Sequence, residues 1–204
     1  MERRLSITEW LLVINVVLYI VLAIIGFSAL ILNDNVVVFV GQYNKFIFEN
    51  GFIWELVTAL FVHFHLGHFI GNIIFLLLFG YRAEDFYNWK QFLLIYLVSG
   101  IAGNVLGLAL GMEFYSAGAS GAIFGMLGAL IYPIKTEEPK SLKGMILIGI
   151  IFLIFSGVNY NTDHISHWVG FLVGLILGKV YTDRKLIKGK EIPKKVKFKH
   201  KMKR

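Results

Sequence analysis

The chain contains no cysteine. That excludes disulfides, a thiol nucleophile and cysteine-based metal sites, while leaving the compartment open. Charge is also scarce: Asp, Glu, Lys and Arg make up 16% of the 204 residues against 57% hydrophobic, and mean hydropathy is +0.70. Ordinary soluble domains carry about a quarter charged residues. No tandem repeat, low-complexity run or second domain breaks the pattern. What remains is an all-α integral membrane protein, counted in spans that each need about 20 mostly apolar residues.

Six spans fit, over residues 10–32, 66–80, 91–110, 118–134, 144–158 and 164–181. The first has an apolar run longer than the core of a signal peptide and no small-residue cleavage site after it, so it is expected to stay as a helix. Basic residues set the orientation. Arg3, Arg4, Arg82, Lys90, Lys135, Lys140, Lys143 and the tail from Lys179 onward fall on one side, and Lys45 is the lone basic residue in the three opposite loops. Both termini are therefore expected in the cytoplasm. Residues 1–183 form the six-span domain and 184–204 a basic tail. Beside a membrane, such a tail points to anionic lipid headgroups, at roughly 1 kcal/mol per basic residue, rather than to nucleic acid. The long outer connection from Asn33 to His65 carries Phe46, Ile47, Phe48, Phe52, Ile53 and Trp54. These predict short amphipathic helices in the interface plane.

Polar side chains are costly inside a membrane and mark functional positions by default. Five of the six histidines form two groups, His63, His65 and His68, then His164 and His167. Asn72 lies four residues after His68, on the same helical face. His167, Gly170, Gly174 and Gly178 share one stripe, as do Gly121, Gly125 and Gly128 on the fourth span, and small residues let membrane helices approach closely. The predicted topology brings His68, Asn72, Ser120 and His167 to one depth, in the outer turns of spans two, four and six.

A serine hydroxyl needs a base within hydrogen-bond reach, and neutral histidine suits that role. Ser120 and His167 can supply the pair. Donors for an oxyanion can come from His68, Asn72 and the Ser120 amide at a helix start, where the dipole favours an anion. Gly118 and Gly121 would let the backbone turn tightly and admit a substrate strand.

With these residues assembled, the sequence resembles the rhomboid intramembrane serine proteases over all six spans. The motif GxSG stands at Gly118 to Gly121, HxxxN at His68 to Asn72, and HxxGxxxG at His167 to Gly174. The resemblance implies a six-transmembrane-helix rhomboid bundle with an interfacial first loop, and the Ser120–His167 dyad as catalytic residues without an aspartate. It further implies an oxyanion hole of His68, Asn72 and the Ser120 amide, with His63 in a supporting hydrogen-bond role. Glu84 matches a family glutamate that ties helices together. Neither cofactor nor metal is implied, and the substrates would be single-span or other transmembrane proteins. Two departures stand out. Trp54-Glu55 replaces the family's usual Trp-Arg, and Phe124 occupies a position where many members carry tyrosine beneath the histidine.

Two other readings compete. A metal-dependent enzyme could use His63, His65, His68, Asp163, His164 and His167, but HExxH is absent and Ser120 would go unexplained. A non-catalytic binder of membrane helices would be expected to lack the dyad. The short fifth span, with Phe152, Leu153 and Phe155, is the expected lateral gate to a cavity open toward the outer face.

Overall fold

The structure, a computed structural model, describes residues 5–157 and 163–187. Arg3, Arg4, Val158 and the basic tail from residue 188, with its His200, lie outside the described residues. Among those described, the chain is almost wholly helical: α1 (Ile7–Ile25), α2 (Asp34–Val40), α3 (Asn44–Asn50), α4 (Glu55–Thr58), α5 (Leu66–Glu84), α6 (Trp89–Gly107), α7 (Ser120–Glu137), α8 (Pro139–Gly157) and α9 (His164–Ile187). A two-residue antiparallel pair, β1 (Gln42–Tyr43) with β2 (Tyr115–Ser116), joins the α1–α5 loop to the α6–α7 loop.

Five helices, α1, α5, α6, α8 and α9, are long and apolar enough to cross a membrane. The chain is an integral membrane protein. The sixth long helix, α7, falls outside that group for a physical reason. Every residue from Ala119 to Leu130 is buried, so most of α7 meets protein on all sides and can afford Gly, Ala and Ser where a lipid-facing helix would carry Leu or Ile.

Several boundaries differ from the hydropathy reading. The first span ends at Ile25 rather than Leu32, because Gly26 closes α1 and Phe27 adopts a positive φ of 51°. The chain then doubles back, and the Leu32 amide donates to the Phe64 carbonyl at 2.8 Å. The second span runs on to Glu84 and the fifth begins at Pro139, each covering 19 residues. The expected short spans were artefacts of polar residues in the end turns.

The helices hold together through small residues and a few buried polar bonds. A Cβ at Gly170, Gly174 or Gly178 would overlap the carbonyl oxygen of Gly121, Gly125 or Ala129 respectively, so α7 and α9 pack backbone to backbone. At the opposite edge Gly80 admits Thr8, whose amide and hydroxyl both donate to Glu84 Oε1 at 2.7 and 2.6 Å. Glu84 therefore ties α1 to α5, as the resemblance implied.

The loop between α1 and α5 is anchored by amide side chains. Asn44 Nδ2 donates to the carbonyls of Gly107 and Gly111 at 3.0 and 2.8 Å, Gln42 Nε2 to that of Asn104 at 3.0 Å, and Asn104 Nδ2 to that of Leu56 at 2.9 Å. Glu55 lies buried and accepts from the Tyr43 amide at 2.8 Å. Burial raises its pKa, and the Tyr43 N–H partly offsets that rise.

Candidate active site

Ser120 begins α7, so its backbone N–H has no partner within the helix. The preceding Gly118 has φ +135°, a conformation that side-chain-bearing residues rarely adopt, and its N–H donates to the Ala59 carbonyl at 2.9 Å. This turn aims Ser120 toward α9. Three turns of glycine contact bring the start of α9 alongside, and His167 Nε2 lies 2.8 Å from Ser120 Oγ. Both residues are buried, at 4% and 8% exposure.

Among the described residues, His167 Nδ1 has no hydrogen-bond partner. Asp163, one turn earlier, is occupied elsewhere: its carboxylate accepts from the Ser166 amide at 2.9 Å, from the Ser166 hydroxyl, and from Ser116 Oγ at 3.2 Å. It caps α9 and pins that helix to β2. The imidazole is instead positioned by packing, with the Phe124 ring 4.6 Å from it, centroid to centroid. Phe124 stacks in turn on Phe152 at 4.5 Å, and Phe152 on Phe75 at 4.1 Å. One aromatic column thus joins α9, α7, α8 and α5.

The second helix brings the remaining polar groups. A Cβ on Gly118 would stand 2.8 Å from His68 Nε2 and 3.7 Å from Ser120 Oγ, so the His68 ring lies over the turn that precedes the serine. Asn72 is buried and donates through Nδ2 to the His68 carbonyl at 2.9 Å. An amide group carries two N–H bonds, which leaves one for another acceptor. His63 is buried with its ring 5.2 Å from that of His68. Burial, with His68 and His65 beside it, holds its pKa well below the usual histidine range. His65 caps α5, its Nδ1 accepting from the His68 amide at 3.1 Å.

Gly121 and Gly170 face one another across the α7–α9 contact, and Gly121 also abuts Ser166. Gly121 is therefore a helix-packing residue. Of the fifth-span aromatics, Phe152 is buried in the column, while Phe155 is 48% exposed and covers Gly71 on α5. Among the described residues, no three His, Asp or Glu side chains are placed to hold a metal ion.

Sequence reasoning passed over Gln42, Asn44, Asn104 and Ser166. Their signal was present, since Asn104 interrupts an apolar span, but the three amides bond mainly to backbone carbonyls distant in sequence, while Ser166 bonds the Asp163 carboxylate within its own turn.

A buried serine at a helix N-terminus, touching a histidine on a neighbouring apolar helix, defines a class: helical membrane proteins with a hydrogen-bonded Ser–His pair inside the bundle. The chain belongs to the rhomboid family, with residues 50–184 matching the Rhomboid domain. It is 30% identical over 175 residues to Rhomboid-like protease 3 of Toxoplasma gondii, covering 82% of this chain and 66% of that protein. It is 32% identical over 173 residues to Rhomboid protease GluP of Bacillus subtilis, covering 83% and 33%. With RHOMBOID-like protein 5 of Arabidopsis thaliana it shares 33% identity over 171 residues, covering 79% and 55%. The chain thus spans between a third and two thirds of the length of these relatives.

Proposed function

We propose that the chain is an intramembrane serine endopeptidase that hydrolyses peptide bonds in or near transmembrane segments of other membrane proteins. The observation that carries this reading is the 2.8 Å contact between His167 Nε2 and Ser120 Oγ at the buried start of α7. Membership of the family, and relatives that are named proteases, support it.

In this reading α7 is the sixth membrane-crossing helix, α2 to α4 form a loop in the outer interface, and both termini are cytoplasmic. The basic tail, residues 184–204, sits on anionic lipid. His167 takes the Ser120 proton as Oγ attacks the scissile carbonyl carbon, and a tetrahedral intermediate forms. Its oxyanion accepts hydrogen bonds from the Ser120 amide, His68 and the free N–H of Asn72, each such donor contributing roughly 10²- to 10³-fold in rate. The imidazolium then protonates the leaving amine as the C–N bond breaks, leaving an acyl ester on Ser120. Water, deprotonated by His167, hydrolyses the ester and restores both residues. Asp163 takes no part, and Phe124 orients the base in place of a hydrogen-bonded acid.

The test is incubation of purified protein with a single-span substrate. Ser120→Ala and His167→Ala should each reduce cleavage at least 10³-fold, as loss of a nucleophile or its base does, and only the wild type should react with a fluorophosphonate. Cleavage by either variant at the wild-type rate would remove the dyad. Activity that survives Ser120→Ala but is lost to a chelator would favour the metal reading.

A further inference from the structure

A cavity of about 280 Å³ separates α7, α8 and α9. Leu127, Gly149, Leu153 and Phe171 line it, and the rings of Phe124 and His167 close one end. Apart from ring nitrogens its walls are hydrocarbon. At its mouth stand Ile150 of α8 and Trp168 of α9, 49% and 56% exposed, so it opens outward between these helices toward the bilayer. Its volume is near the lower limit of small-ligand pockets, about 300 Å³, too small for a helix and wide enough for a single chain.

The end away from His167 is basic on all three helices. Lys135 continues the α7 face that carries Phe124, Leu127 and Ile131, at spacings of three, four and four residues. Lys143 stands one turn before Ile146 on the α8 face that lines the cavity. Lys179 lies toward the same side of α9, its ammonium 6.0 Å from the Tyr132 ring of α7. All three lysines are exposed. From Lys143 to Leu153 the helical rise is roughly 15 Å at 1.5 Å per residue, about half of a hydrocarbon core of about 30 Å. An apolar slot one leaflet deep, capped by three cations, has the shape and charge of a phospholipid site.

We propose that this groove binds one anionic phospholipid, its headgroup on Lys135, Lys143 and Lys179 and one acyl chain in the cavity, ending against Phe124 and His167. The bound chain keeps water from that side of the imidazole and fills the space beside the aromatic column. The proposal needs the membrane setting but not proteolysis, and its test reads binding alone.

The full chain is placed in nanodiscs with a trace of phosphatidylglycerol or phosphatidylcholine, each bearing a diazirine at the end of one acyl chain. After irradiation, labelled residues are mapped by peptide mass spectrometry. The buried Leu127 should be labelled at least fivefold more by phosphatidylglycerol than by phosphatidylcholine. Exchange of the three lysines for glutamine should bring the two lipids level. Ile150→Trp should fill the mouth and remove the Leu127 label, whereas Leu147→Trp, exposed on α8 but outside the cavity, should leave it. Label confined to bilayer-facing residues such as Leu147 and Ile154, or equal labelling of wild type by both lipids, would overturn the proposal. So would labelling of Leu127 by a photoreactive transmembrane peptide in place of lipid.

Discussion

Ser120 is one of several buried polar residues, and its chemistry depends on two neighbours of no chemical character. Gly118 supplies a backbone angle that keeps Ser120 at the helix start, and Phe124 supplies a flat surface under the base. Alanine at Gly118 would meet His68 Cε1 at 2.7 Å while holding φ near +135°. Strain of this kind costs on the order of 1–3 kcal/mol, and relief would come from moving either the serine or the His68 ring. Gly118→Ala should therefore lower kcat/KM at least tenfold, a much larger effect than its shift in thermal unfolding, as peptidase assays and melting curves on the same preparation would reveal. Glu55 shows a different substitution of parts. Where the resemblance would place a guanidinium, this loop has a carboxylate, and it accepts from the Tyr43 N–H where an arginine could only donate.

At the scale of elements, the α7–α9 pair is the structural centre. Its glycines remove the side chains that would otherwise separate two backbones, and contact along one stripe sets the distance from His167 to Ser120. Gly174 and Gly144 test this as a pair. A methyl at Gly174 overlaps the Gly125 carbonyl, whereas one at Gly144 meets nothing within 4 Å. Gly174→Ala should destabilise by about 1–3 kcal/mol, the usual cost of overpacking, and should abolish cleavage. Gly144→Ala, at a helical site with open space, should be neutral or stabilising by about 0.5–1 kcal/mol. Thermal unfolding in detergent distinguishes the two.

For the whole molecule, the aromatic column from His167 through Phe124 and Phe152 to Phe75 makes α8 a neighbour of the base as well as a wall of the site. Outward movement of α8 would separate Phe152 from Phe124 and open the α5–α8 side, where Phe155 lies over Gly71. If substrate helices enter there, cysteines introduced at Gly71 and Phe155 and joined by a short reducible linker should lower turnover of a transmembrane substrate more than tenfold. Fluorophosphonate labelling of Ser120 should persist, and reduction should restore turnover. Unchanged turnover in the linked protein would place entry elsewhere.

Hydropathy by itself determined that the chain lives in a membrane, because transfer free energy adds along a span whatever the span packs against. Helical periodicity determined which glycines share a stripe, and the order of three motifs pointed to the family. Tertiary structure decided the rest. It set the helix ends, where Gly26, Phe27 and the Leu32–Phe64 bond turn the chain earlier than its apolar run suggests. It decided that α7 is enclosed by protein, so that composition understates its depth. It assigned the Asp163 carboxylate to Ser166 and Ser116 rather than to the His167 ring, although all three lie within reach in sequence or fold. The partners of the amide belt of Gln42, Asn44 and Asn104 were likewise invisible, since its acceptors are mostly backbone carbonyls that every residue possesses. Burial is additive and can be read from residue types, whereas a hydrogen bond depends on which of many equivalent partners the fold brings to about 3 Å.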